Sequence, residues 1–119
     1  MKTILVIDDA EVIQLITKSV LGHDFNVVKA VNSDTGLALA QSLVPDLILL
    51  DIMMPGQLDG LELLDVIKAD PLLSHIPVIM MTGHDFAGIA SSERHGAVSY
   101  FTKPFSVYQL AIAVKAAIQ

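Results

Sequence analysis

Short, mainly apolar runs recur along the chain at Ile4–Ile7, Asn26–Val31, Leu47–Leu50, Val78–Met81 and Val98–Phe101, separated by stretches of helical length. Runs with so little polar alternation predict strands covered on both faces, the pattern of a parallel sheet between two helix layers. The repeated strand–helix order predicts an α/β fold with five strands and five helices. In the first helix Val12, Ile16 and Val20 recur every fourth residue and predict its buried stripe, with Gly22 as C-cap. Leu39 and Leu43 mark the second helix, which Pro45 ends, and Leu61, Leu64 and Ile67 mark the third, which ends near Asp70 and Pro71. The fourth, about Phe86 to Arg94, holds Gly88, Ser91 and Ser92, is predicted to be the least stable, and is terminated by Gly96. The fifth starts at Ser106 as N-cap, with Val107, Leu110, Val114 and Ile118 as its core stripe. Tyr108 and Ile112 fall outside that stripe and predict an exposed apolar patch for a partner or a second copy.

Composition narrows the class. A chain of 119 residues corresponds to one domain, 1–119, large enough to bury roughly two thirds of the surface it exposes when unfolded. Hydrophobic residues make up 53% and mean hydropathy is +0.62, yet no apolar run approaches the ~18 residues of a spanning helix, so no membrane insertion is expected. A net charge of −6 with only seven Lys and Arg leaves no basic face for direct nucleic-acid binding. Cysteine is absent, which excludes disulfides and thiolate metal sites. The first residues begin a strand pattern with no leader-like region, and a cytoplasmic location is expected.

The chemistry gathers at strand ends. In an open parallel sheet, ligands sit beyond the carboxyl ends of the strands. Asp8, Asp9, Asp51, Thr82 and Lys103 each follow a predicted strand and are expected on one edge. Two unit charges ~4 Å apart repel by about 4 kcal/mol at an effective dielectric of 20, so three ionised carboxylates call for a divalent cation and for Lys103. All-oxygen ligands favour Mg2+ or Mn2+. A carboxylate beside such a cation can itself be the nucleophile, forming an aspartyl phosphate, with Lys103 and the Thr82 hydroxyl facing the phosphoryl oxygens. Each residue has a plainer reading alone: Asp9 as a cap of the first helix, Asp51 and Thr82 as turn residues, Lys103 as a solvated lysine. Five such residues at the strand ends argue jointly for a site.

Four stretches, Ile4 to Asp9 (ILVIDD), Pro45 to Pro55 (PDLILLDIMMP) followed by Asp59, Gly60 and Leu61, Ile76 to Gly83 (IPVIMMTG) and Gly96 to Phe105 (GAVSYFTKPF), carry a specific resemblance. With them the whole chain resembles the CheY-like receiver domain of bacterial two-component response regulators. The resemblance implies a doubly wound, flavodoxin-like sheet of strand order 2-1-3-4-5. It implies that Asp51 accepts a phosphoryl group from a sensor histidine kinase or a histidine phosphotransfer protein. It further implies Mg2+ held by Asp9, Asp51 and the backbone carbonyl of Met53, with Asp8 acting through a water. Thr82 would move toward the phosphoryl group, Lys103 would pair with its oxygens, Tyr100 would rotate inward, and the bond before Pro104 would be cis. Phosphorylation would then shift populations at the surface of the fourth helix, fifth strand and fifth helix, which an output domain or a homodimer partner would read.

One departure stands out. The segment from Met54 to Gly60 is about one residue longer than the usual family spacing. Met53 and His84, two residues beyond Asp51 and Thr82, occupy the positions that in this family border the path of hydrolytic water, and the apolar Met53 is expected to slow phosphoryl loss. His23, His75 and His95 show no metal spacing and are expected at the surface or at helix ends. Two other classes compete. Aspartate-nucleophile phosphatases place an Asp-x-Asp pattern after the first strand, where this chain has Asp8-Asp9-Ala10-Glu11. Flavodoxin-like cofactor binders need a Gly, Ser and Thr loop there, and an acidic loop would repel their phosphate.

Overall fold

Each predicted apolar run forms a strand, with ends shifted by no more than a residue. The computed structural model describes residues 1–53, 56–82, 96–103 and 105–118, Thr82 by its backbone only. They contain β1 (Thr3–Ile7), β2 (Asn26–Ala30), β3 (Leu47–Asp51), β4 (Val78–Thr82) and β5 (Ser99–Thr102). Three helices, α1 (Glu11–Leu21), α2 (Ser33–Leu43) and α3 (Gly60–Ala69), and a last helix, Val107–Ile118, connect or follow them. The predicted fourth helix, about Phe86 to Arg94, lies outside the described residues, as do His84, His95 and Pro104.

All neighbouring strands pair in parallel in the order β2-β1-β3-β4-β5. Ile7 is in register with Ala30 on one side and Leu50 on the other, and Asp51 with Met81. Asp51 and Thr82 are therefore the last residues of their strands rather than the first residues beyond them.

Alternation along the buried strands divides the interior in two. Leu5, Ile7, Ile48, Leu50 and Met80 face Ala40 of α2 and Leu63, Leu64 and Ile67 of α3. Ile4, Val6, Leu47, Leu49, Ile79 and Met81 face Leu21 of α1 and Leu110 and Val114 of the last helix. Gly36 lets α2 approach closely, since a Cβ there would come within 2.8 Å of Ile7.

Two helices turn differently from their predicted stripes. In α1, Val12 is 64% exposed, and the residues facing the sheet are Gln14, Thr17 and Leu21, flanked by Ile13 and Val20. Polar groups can be buried there because their donors find partners: the Thr17 hydroxyl donates to Ile13 O at 2.8 Å, and Gln14 Nε2 donates to strand-end carbonyls, while among the described residues Gln14 Oε1 is buried without a partner. In α2 the buried positions are Ser33, Gly36 and Ala40, while Leu43 is exposed. The last helix buries Leu110 and Val114, with Val107 and Ile118 half-buried, as its periodicity predicts. Ser106 caps it, its Oγ accepting from Gln109 N at 3.3 Å. Among the described residues no helix is long and apolar enough to cross a membrane.

Candidate functional site

Parallel register brings the acidic residues together. β1 ends at Ile7 opposite Leu50, so Asp8 just past β1 stands beside Asp51 at the end of β3. Carboxylate oxygens of Asp8, Asp9 and Asp51 all lie within 4.8 Å of one another. Asp8 is fully buried and Asp51 is 4% exposed, whereas Asp9 faces solvent. Lys103, just past β5, reaches across β4 to both buried carboxylates, with Nζ 2.8 Å from Asp8 Oδ2 and 3.3 Å from Asp51 Oδ2.

The backbone supplies further donors. Ala10 N–H donates to Asp8 Oδ1 at 2.9 Å, and Met53 N–H to Asp51 Oδ1 at 3.2 Å. Asp9 does not cap α1, whose N-cap is Ala10 with no side-chain hydrogen bond. Asp9 is left with its carboxylate turned to the cluster and to solvent.

Burial, reinforced by the charge of Asp8, pushes the Asp51 carboxyl from 3.8 up to about 6, against the opposing pull of Lys103 and the Met53 N–H. Burial works to lower the Lys103 pKa, but the Asp8 hydrogen bond and the charges of Asp51 and Asp8 outweigh it and hold the ammonium above its ordinary range. Three carboxylates against one ammonium leave an acidic excess at a site where Asp8 and Asp51 are buried and Asp9 opens to solvent. A hard divalent cation fits such a donor set in both charge and ligand type.

Two positioning residues escaped the hydrophobic pattern. Gln14 Nε2 donates to Val6 O at 3.0 Å, Asp8 O at 2.9 Å and Ala30 O at 3.1 Å, tying the acidic loop to the ends of β1 and β2. Its signal was a lone amide within the apolar stretch Val12 to Ile16. Ser33 Oγ accepts from Leu58 N at 3.2 Å, linking α2 to the segment after Asp51; nothing local in the sequence announces that contact.

Other predicted residues are placed as follows. Tyr100 of the edge strand β5 pairs in register with Met80 of β4 and is 38% exposed. The Thr82 backbone pairs with Thr102. Met53 is exposed beside Asp51, and Tyr108 and Ile112 are exposed at 79% and 68%. His23 and His75 are at the surface.

Residues 4–115 match the family model of the response regulator receiver domain. The chain is similar to histidine kinase P4 of Formosa agariphila, 37% identical over 118 residues that make up 95% of this chain and 8% of that protein. It is similar to response regulator PleD of Caulobacter vibrioides, 38% identical over 115 residues, 94% of this chain and 25% of that one. The chain thus spans no more than a quarter of the length of these two relatives. In structure it resembles a putative response regulator from Chloroflexus aurantiacus, with a TM-score of 0.92, 28% identity and coverage of 98% of this chain and 97% of that one.

Proposed function

The chain belongs to the response regulator receiver domain family, and from that membership we propose that it is the phosphoacceptor of a two-component phosphorelay, with residues 1–119 forming the receiver. The observation that carries the proposal is the buried pair Asp8 and Asp51 bridged by Lys103, with Asp9 beside them.

In this proposal an Asp51 oxygen attacks the phosphorus of a phosphohistidine. The O–P bond forms as the P–N bond breaks, and the departing ring nitrogen keeps the electron pair and takes up a proton. A carboxyl with a pKa of about 6 is mostly ionised at neutral pH, as a nucleophile must be. Lys103 already stands between the two buried carboxylates and pairs with a phosphoryl oxygen once Asp51 is esterified. Asp9, Asp51 and the Met53 carbonyl would hold Mg2+ or Mn2+, with Asp8 acting through a water; when bound, the ion neutralises charge that would otherwise repel the incoming phosphoryl group.

The same proposal makes the chain a switch rather than an enzyme with a turned-over substrate. Thr82 and Tyr100 draw inward toward the phosphoryl group, changing the surface of β5, the last helix and the fourth helix that the sequence predicts. Exposed Tyr108 and Ile112 are the candidate contact for an output domain or a homodimer partner. A cytoplasmic sensor kinase or phosphotransfer protein is the donor. Exposed Met53 beside Asp51 slows hydrolysis by offering attacking water no polar partner; Met53→Asn is expected to speed phosphoryl loss several-fold, and an unchanged lifetime would argue against that role.

Incubation with acetyl phosphate, or with beryllofluoride, in the presence of Mg2+ tests the assignment. The parent protein should gain one covalent phosphoryl group, or one fluoride adduct, and Asp51→Asn none. No adduct on the parent would sink the proposal, and steady turnover of a phosphate ester would point to a phosphatase instead.

A further inference from the structure

Ser33 is the first residue of α2 and is 1% exposed, but the helix does not need its hydroxyl for capping. Asn32 is the N-cap, its side chain accepting from Thr35 N at 2.8 Å. Ser33 Oγ reaches instead to Leu58 N, twenty-five residues away, in the segment between Asp51 and α3.

Gly56 lies against the same hydroxyl. It has φ +125°, a conformation that side-chain-bearing residues rarely adopt, and a Cβ there would collide with Ser33 Oγ and come within 3.1 Å of Ser33 N. The base of the segment is held separately. Gly60 N donates to Ile52 O at 2.9 Å, and a Cβ on Gly60 would strike Asp51 O. Asp59 and Glu62 form a reciprocal capping box that fixes the start of α3.

The segment is thus tied at its base by Gly60 and at its crown by Ser33, and Met53, whose N–H donates to Asp51, lies between β3 and the crown. An extra residue adds slack to a loop, and slack in this loop spreads the positions open to Met53. We infer that Ser33 is a positioning residue for the phosphoacceptor site: its hydroxyl takes up the slack of the lengthened segment and fixes the Met53 backbone beside Asp51. This rests on the proposed function, because it matters only if that backbone helps to hold a cation.

Three measurements on Ser33→Ala and Gly56→Ala test it: Leu58 amide hydrogen exchange without metal, the Mg2+ dissociation constant, and the rate of phosphorylation by acetyl phosphate as a function of Mg2+. In Ser33→Ala the Leu58 amide should exchange faster and Mg2+ should bind roughly three- to tenfold more weakly, the range set by one lost hydrogen bond. Phosphorylation should slow at low Mg2+ and recover at saturating Mg2+; since bound Mg2+ also stabilises a weakened fold, urea unfolding without metal is used to show that each variant is folded under the assay conditions, so that the split reports the site. Gly56→Ala pushes the crown away from an intact hydroxyl and should weaken Mg2+ in the same direction, so it carries the test if Ser33→Ala folds poorly. Mg2+ affinity equal to the parent's in both variants overturns the inference. A parent that takes up neither Mg2+ nor a phosphoryl group overturns the proposed function instead, while Leu58 exchange still reports whether Ser33 holds the segment.

Discussion

Lys103 Nζ lies closer to Asp8, at 2.8 Å, than to Asp51, at 3.3 Å. The ammonium is anchored on the fully buried carboxylate and leans toward the one proposed to react. That geometry makes Lys103 a counter-charge for the resting pair, in addition to its proposed role as partner of a phosphoryl oxygen.

Replacing Lys103 by Ala should therefore disturb the unmodified protein. Without its opposing charge, the Asp51 carboxyl should titrate above about 6, as followed by carboxyl 13C shifts. Stability at pH 7 without metal should fall by about 2 kcal/mol, the scale of a charge-assisted hydrogen bond at a partly exposed cation, and Mg2+ should restore most of it. An unchanged Asp51 titration would contradict the bridging role.

Asp51 should make the metal-free fold less stable as pH rises. Its carboxyl is raised from 3.8 to about 6, so between those values the folded protein binds more protons than the unfolded chain. The stabilising contribution is complete below the lower value and is lost as pH rises through about 6, a difference of roughly 3 kcal/mol. Asp51→Asn should then be more stable than the parent at pH 7 in EDTA by up to that amount, with the gap closing toward pH 4. Urea unfolding across this range decides the matter, and a parent as stable as Asp51→Asn at pH 7 would refute it.

Gln14 offers a test of how the acidic loop is held. Gln14→Leu removes donors from the carbonyls of Val6, Asp8 and Ala30, of which Ala30 O keeps the Asp8 N–H at 3.0 Å. The expected loss is about 1–3 kcal/mol in thermal or urea unfolding, with weaker Mg2+ binding. Gln14→Glu should be worse at pH 7, because it turns a buried carboxylate toward three carbonyl oxygens. A Gln14→Leu variant as stable as the parent would show that the amide contributes no directional hold.

The exposed pair on the last helix separates association from folding. Tyr108→Glu with Ile112→Glu should change stability by no more than about 0.5 kcal/mol, since both side chains are exposed. Sedimentation after beryllofluoride treatment, and titration with a partner domain, should show weakened association. Full association by the double variant would remove these residues from the interface.

The sheet and the acidic corner were legible for the same reason. Fully buried strands have to be apolar throughout, so a charged residue at the end of Ile4–Ile7 or Leu47–Leu50 is conspicuous, and parallel order sends all such ends to one edge. The face of α1 was not legible. Val12, Ile16 and Val20 make a better apolar stripe than Gln14, Thr17 and Leu21; the carbonyls at the ends of β1 and β2 favour burying the Gln14 amide, and a carbonyl of the helix itself takes the Thr17 hydroxyl. The Ser33 contact was hidden likewise, since it joins residues twenty-five apart whose types suggest only a helix start and a loop. Local pattern reports what a residue prefers; these two residues answer to groups that the fold brings from elsewhere.

The division of the interior by the sheet bears on how such a protein can diversify. The buried side chains facing α2 and α3 and those facing α1 and the last helix form disjoint sets. Volume changes on one side are then felt mainly by that side, and destabilisations from opposite sides should add. One layer can therefore be remodelled by mutation while the packing of the opposite layer is left as it was, and neither change has to wait for the other.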